Sequence, residues 1–319
     1  MKITIGLMLL ILMISFSVDA SIFSDTTFVE KNIILKTKTG DIFGTLTTPA
    51  SFNKIPVALI IVGSGPMDRD GNYIPLGIKG NCYKMLSNEL LKHGIATLRY
   101  DKRGIAESQA ACKNEIDLRF DDLMEDAKGL VQMLKQDKRF SKVIVIGHSE
   151  GSLIGMPAAV LADKYISLAG SGQSVDKLLK TQLSVQPKYV TAMAFPILDS
   201  LVKGRTVTNV DPMLNSLFKA SLQPYLISWI KFDPQVEISK LKIPVLILQG
   251  TSDLNITVED AKRLSVANPK ANLVLIENMN HVFRIVGNDM QANVKSYSDA
   301  SLPISDILVK SITDFILKN

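Results

Sequence analysis

The stretch VIVIGHSEGS, residues 143–152, decides how this chain folds. Four apolar β-formers run straight into a serine held between two glycines, and a helix-forming segment, SLIGMPAAVLA, follows. Such a string is either a packed strand ending in a turn or a strained turn that lifts Ser149 out as a nucleophile. Its context favours the second reading. A residue forced into an unfavourable backbone conformation between strand and helix needs neighbours without a Cβ, so that the two elements can approach. Ser149 would then hold its hydroxyl over the helix N-terminus, with the backbone N–H of Glu150 free to meet an oxyanion.

Short apolar runs of the same kind recur at 57–63, 95–101, 165–171, 245–250 and 271–277. None alternates strictly, which is the pattern of strands covered on both faces. Helical stretches separate most of them. In DDLMEDAKGLVQMLKQD, for example, Leu123, Ala127, Leu130, Val131 and Leu134 form one apolar stripe. A last helix is expected to open at Ser301 with Pro303 just inside it. Ahead of these runs, KNIILKTKTGDIFGTLTTP has two β-rich arms around Thr39-Gly40-Asp41 and predicts a hairpin. Alternating strand and helix means a doubly wound, mostly parallel α/β sheet, with chemistry at the carboxyl ends of the strands.

One interval breaks the alternation. Residues 172–242 lie between two of the parallel strands, show helical spacing and carry Met193, Phe195, Met213, Phe218, Tyr225 and Trp229. A structureless loop of that length is improbable, so a helical lid over the strand ends is expected. The alternative is a small second domain with no part in the site. The core then comprises 21–171 and 243–319. Residues 1–20 are set apart: Lys2 precedes the uncharged apolar run 3–18, and VDA stands before Ser21. That reads as a secretory signal peptide cut after Ala20, with export to the periplasm or the medium. Sixteen apolar residues fall short of the roughly 20 that span a bilayer, and no second run of that length follows. No stable membrane span is therefore expected once the signal is removed.

Cys82 and Cys112 are the only cysteines. In an oxidising compartment they allow one disulfide, closing a loop of about 30 residues and contributing roughly 3–4 kcal/mol; the alternative is two unrelated thiols. A zinc site is not supported. The formal charge of +5 is spread along the chain without a basic block or aromatic interleaving, which argues against nucleic-acid binding.

A serine hydroxyl needs a base, and the chain offers three histidines. His93 stands before Gly94 at a helix end, where it caps carbonyls. His148 adjoins Ser149 on the strand, so its side chain should leave on the other face. His281, in ENMNHVF just after the last strand run, falls at the same sheet edge as Ser149 and is the expected base. Asp253, three residues past Gly250, is the expected carboxylate partner, with Glu277 and Asp260 as rivals inside a strand and a helix. The second oxyanion donor is expected from the glycine-rich turn after residues 57–63, from Ser64 or its rival Gly65.

Ser149 in GHSEG, Asp253 in GTSD and His281 in NMNH, with GSGPMDRDGN and YDKRGIAES, resemble the α/β-hydrolase superfamily. Within it the chain is similar to the serine aminopeptidase-like (S33-type) branch that includes EstD-like bacterial carboxylesterases. The resemblance runs from about residue 30 to the end, the lid excepted. It implies the α/β-hydrolase fold and a serine hydrolase working through an acyl-enzyme, without metal or organic cofactor. Two positions depart from the pattern: Val62 stands where relatives often carry histidine, and Ala106 where D-x-R-G-x-G-x-S has its second glycine. Asp101 and Arg103 are expected to pair and brace the strand end. Between 172 and 232, Asp176, Asp199 and Asp211 face seven lysines and arginines. This favours a neutral or anionic small acyl ester over a peptide N-terminus, with aminopeptidase, thioesterase and non-catalytic binding readings as alternatives.

Overall fold

The computed structural model describes residues 28–287 and 289–318; the expected signal peptide lies outside them. Among the described residues there are ten strands: β1 (Phe28–Thr37), β2 (Gly40–Pro49), β3 (Ile55–Ile61), β4 (Asn72–Tyr73), β5 (Ile78–Lys79), β6 (Ala96–Tyr100), β7 (Phe140–His148), β8 (Lys164–Leu168), β9 (Val245–Gly250) and β10 (Asn272–Ile276). Eight of them form one sheet in the order β1-β2-β6-β3-β7-β8-β9-β10, while β4 and β5 pair separately. The β1–β2 hairpin and the β2–β6 junction are antiparallel, and the other pairings of the large sheet are parallel. The hairpin turns at Lys38-Thr39, so Gly40 already belongs to β2.

The apolar runs fill both faces of the sheet. Along β3, Val57, Leu59 and Ile61 point into one core and Ala58 and Ile60 into the other, as the two-residue period of a strand requires. Helices α2 (Phe120–Gln136), α3 (Glu150–Ala159) and α9 (Val258–Ala267) cover the first face. Helices α1 (Cys82–Lys92) and α11 (Asp306–Leu317) cover the second. The last helix begins four residues later than Ser301 suggests: Ser305 is its N-cap, accepting from the backbone N–H of Leu308 at 3.3 Å. Proline at 303 lies before the helix, not in its first turn.

Between β8 and β9, residues 172–242 hold α4 (Val175–Leu183), α5 (Lys188–Val202), α6 (Asn215–Phe218), α7 (Gln223–Ile230) and α8 (Pro234–Ser239). Helices α4 to α7 share a small apolar core of their own, with Leu198, Leu201, Leu214 and Phe218 nearly or fully buried, whereas Ile238 of α8 packs into the main core. α7 is tied to the main core by Trp229, which stacks on Phe120 of α2 at 5.2 Å with the rings 2° from parallel. Beyond β10, α10 (Met290–Ser296) precedes α11. Cys82 and Cys112 are both free, so the disulfide is not formed. Burial pushes the Cys82 thiol up to about 12.

The brace at the end of β6 differs from expectation. Asp101 pairs with Arg69 at 2.5 Å and accepts its backbone N–H at 2.7 Å, whereas Arg103 pairs with Asp126 of α2 at 2.6 Å. Both residues lie past the strand, where the chain has turned, so near neighbours in sequence face different elements. Asp101 thus ties the 63–72 turn to the sheet.

Candidate active site

At the end of β7 the chain bends sharply into α3. Ser149 adopts φ +55° and ψ −121°, a left-handed conformation that a residue with a Cβ takes only under constraint. Two glycines create the constraint by letting strand and helix close in. A Cβ on Gly147 would lie 2.3 Å from the Gly151 carbonyl oxygen, and one on Gly151 would lie 2.4 Å from that of Ile61. The serine N–H donates to the Leu168 oxygen at 3.0 Å, while its side chain makes no capping bond to the helix it opens.

Asp253 and His281 arrive from the loops after β9 and β10. Asp253 closes a tight turn, its Oδ1 accepting from the backbone N–H groups of Asn255 at 2.8 Å and Ile256 at 3.0 Å. Its Oδ2 accepts from His281 Nδ1 at 2.8 Å and from Gln249 Nε2 at 3.1 Å. Nδ1 therefore carries the proton, and Nε2 is the basic nitrogen. Burial pushes the Asp253 carboxyl up, but the His281 charge and hydrogen bond, with the two N–H groups, outweigh it and hold the group below its ordinary value. The loop that carries His281 is fixed by Asn280, whose Nδ2 donates to Ser296 Oγ at 2.7 Å and to Asn293 Oδ1 at 3.0 Å.

His148 does not leave the site. Its ring lies 4.5 Å from that of His281, and it belongs to a one-way hydrogen-bond chain. The Gly63 N–H donates to Tyr83 Oη at 3.0 Å, Tyr83 donates to His148 Nδ1 at 2.8 Å, and His148 Nε2–H donates to the His281 carbonyl at 3.0 Å. Burial first, then the neighbouring His281, push His148 well below the usual histidine range, so it stays neutral. The chain joins the turn after β3 to the backbone of His281.

Ser64, Ser149 and Glu150 line one cavity of about 30 Å³, together with Leu153, Leu178 and Trp229. Gly65 does not line it; its φ of +85° makes the turn. The structure thus joins Asp253 to His281 directly and places Ser149 beside Ser64 and Glu150, without a hydrogen bond between the serine hydroxyl and the imidazole. Asp260 is occupied in the capping box of α9 with Thr257, and Glu277 stands just after β10. Lys102 and Tyr225 were not expected here. Lys102 Nζ lies 2.6 Å from Glu150 Oε2, and Tyr225 Oη donates to Glu150 Oε1 at 2.5 Å. The signal in the sequence was Glu150 itself, since a charge in a turn of small and apolar residues requires a partner. Among the described residues, no group of three or more His, Cys, Asp or Glu is placed to hold a metal ion, and no helix is long and apolar enough to cross a membrane.

Sheet order and the strained turn after β7 give the chain the α/β-hydrolase fold. A family model described as serine aminopeptidase, S33, matches residues 76–217. The chain is similar to esterase EstD of Thermotoga maritima, 26% identical over 275 residues, which cover 80% of this chain and 60% of that one. It thus spans less than two thirds of that relative. Among solved structures, Est1E from Butyrivibrio proteoclasticus superposes with a TM-score of 0.60 at 16% identity, covering 90% of this chain and 99% of the other. GrgF from Penicillium sp. gives 0.58 at 18% identity, covering 90% and 98%. At these identities the structures speak for the fold.

Proposed function

We propose that the chain is a serine hydrolase that cleaves short-chain carboxylic esters through an acyl-enzyme. The observation that carries this reading is the buried Asp253–His281 hydrogen bond at 2.8 Å, on the rim where the strained Ser149 stands. Asp253 holds the imidazole with Nε2 as base and stabilises the cation that forms when Ser149 gives up its proton. Ser149 Oγ attacks the ester carbonyl, and the N–H groups of Glu150 and Ser64 receive the oxyanion. His281 then returns the proton to the leaving alcohol, and water, activated by the same imidazole, releases the acid. Similarity to an esterase supports the bond cleaved.

The small cavity, walled by Leu153, Val175, Leu178, Trp229 and Ile256, suits a short apolar acyl group. The S33 match favours aminopeptidase as a second reading. Against it, the one carboxylate among the described residues lining the cavity is Glu150, already engaged by Lys102 and Tyr225. The same proposal includes residues 172–242 acting as a lid and export behind a signal peptide cut after Ala20, supported by the apolar run that follows Lys2. The test is hydrolysis of p-nitrophenyl acetate and labelling by a fluorophosphonate. The wild type turns over and is labelled at Ser149, and Ser149→Ala does neither. A folded wild type that remains unlabelled refutes the reading.

A further inference from the structure

Lys102 is 5% exposed, one residue inside the turn after Asp101, and its ammonium group reaches two acceptors. These are the Gly63 carbonyl oxygen and Glu150 Oε2, each at 2.6 Å. Both belong to residues that adjoin or carry the proposed oxyanion donors. Because the peptide unit is planar and trans, the Gly63 C=O and the Ser64 N–H point in opposite directions, so holding the oxygen aims the N–H. The other polar group of Gly63, its N–H, is held by Tyr83 Oη at 3.0 Å, so both polar groups of this residue are anchored. On the far side, Glu150 opens α3 with its carboxylate pinned between Lys102 and Tyr225 of α7.

An ion pair in this position needs a reason. Each buried ion costs several kcal/mol of desolvation, and an apolar pair of similar volume often packs as well or better. The geometry here points to position: one ammonium group spans the two segments whose N–H groups must converge on a single oxygen atom.

We propose that Lys102 is a positioning residue for the oxyanion hole, clamping the Gly63–Ser64 peptide and the Glu150 side chain so that both donors keep their aim. The inference rests on the serine-hydrolase reading above. Lys102 touches no reacting atom; it acts through the two N–H groups. Its loss therefore weakens binding of the transition state and leaves ground-state binding of the ester nearly unchanged.

The test compares the wild type with Lys102→Met and with the double variant Lys102→Met/Glu150→Gln. The second variant avoids the buried unpaired carboxylate that could unfold the first, and circular dichroism establishes that it is folded. On p-nitrophenyl acetate, kcat of the double variant falls about 100-fold, the scale of one misaimed donor, while KM stays within about threefold. Affinity for a trifluoromethyl ketone, whose adduct with Ser149 places an oxyanion between the donors, falls by a similar factor. A role confined to stability would leave both the ketone affinity and kcat of the folded variant intact. A folded double variant with kcat within threefold of an active wild type overturns the clamp alone. A wild type that neither hydrolyses the ester nor reacts with a fluorophosphonate overturns the hydrolase reading and the clamp with it.

Discussion

Ser149 at φ +55° costs about 1–3 kcal/mol of backbone strain, met by the packing of β7 against α3. Ala106 stores strain of the same kind, at φ +44°. It occupies the position of the second glycine in the pattern D-x-R-G-x-G-x-S that this segment resembles, and glycine takes that conformation without a Cβ clash. Replacing Ala106 with glycine is expected to raise stability by up to about 1 kcal/mol, read as a higher urea midpoint with an unchanged slope. At Asp253 the expected change is in rate. Asp253→Asn removes the carboxylate that fixes the His281 tautomer and stabilises its cation. It should lower kcat about 10³–10⁴-fold with little change in thermal midpoint, measured by ester hydrolysis and calorimetry side by side. Because burial is outweighed by His281 and two backbone donors, the Asp253 carboxyl remains ionised below its ordinary range. Acid loss of activity should accordingly not track a carboxylate with an ordinary pKa.

At the scale of elements, the junction of β3, β7 and α3 is the most tightly determined part of the molecule. Gly151→Ala would press a methyl group to 2.4 Å and 2.5 Å from two carbonyl oxygens of the neighbouring strand end, those of Ile61 and Val62. The first of these residues ends β3 and is paired with β7, so its oxygen cannot move without disturbing the sheet. A loss of at least about 2 kcal/mol is expected in denaturant titration. This junction was legible in the sequence, because two glycines, a serine and an apolar run are adjacent along the chain and obey local rules. The alternating strands and helices were legible for the same reason. The partners of Glu150 were not: Lys102 and Tyr225 lie 48 and 75 residues away and meet it only through the order of the strands and the return of α7. The Asp101–Arg103 pairing failed for a related reason, since the chain leaves β6 at Tyr100 and the two side chains meet different elements. Likewise the place of His148 followed from the loop that brings His281 over it, not from its position on β7.

For the molecule as a whole, His148 links folding to pH. Held neutral in the folded state, it takes up a proton only on unfolding, so the unfolded chain binds more protons once the pH falls below about 6.5. Stability then declines as the pH drops further, by up to about 1.4 kcal/mol per pH unit, and recovers above that range. Chemical denaturation between pH 7 and 5 should show this decline in the wild type and a correspondingly shallower one in His148→Gln. The order in which the strands occur along the chain has a separate effect. β3 and β7, at the centre of the sheet, are complete by residue 148, whereas Asp253 and His281 come after β9 and β10. While the protein is being synthesised, the nascent chain carries its proposed nucleophile for more than a hundred residues before the base emerges from the ribosome. Under the proposed mechanism an unfinished chain is thus chemically inert, and turnover waits until β9 and β10 have joined the sheet.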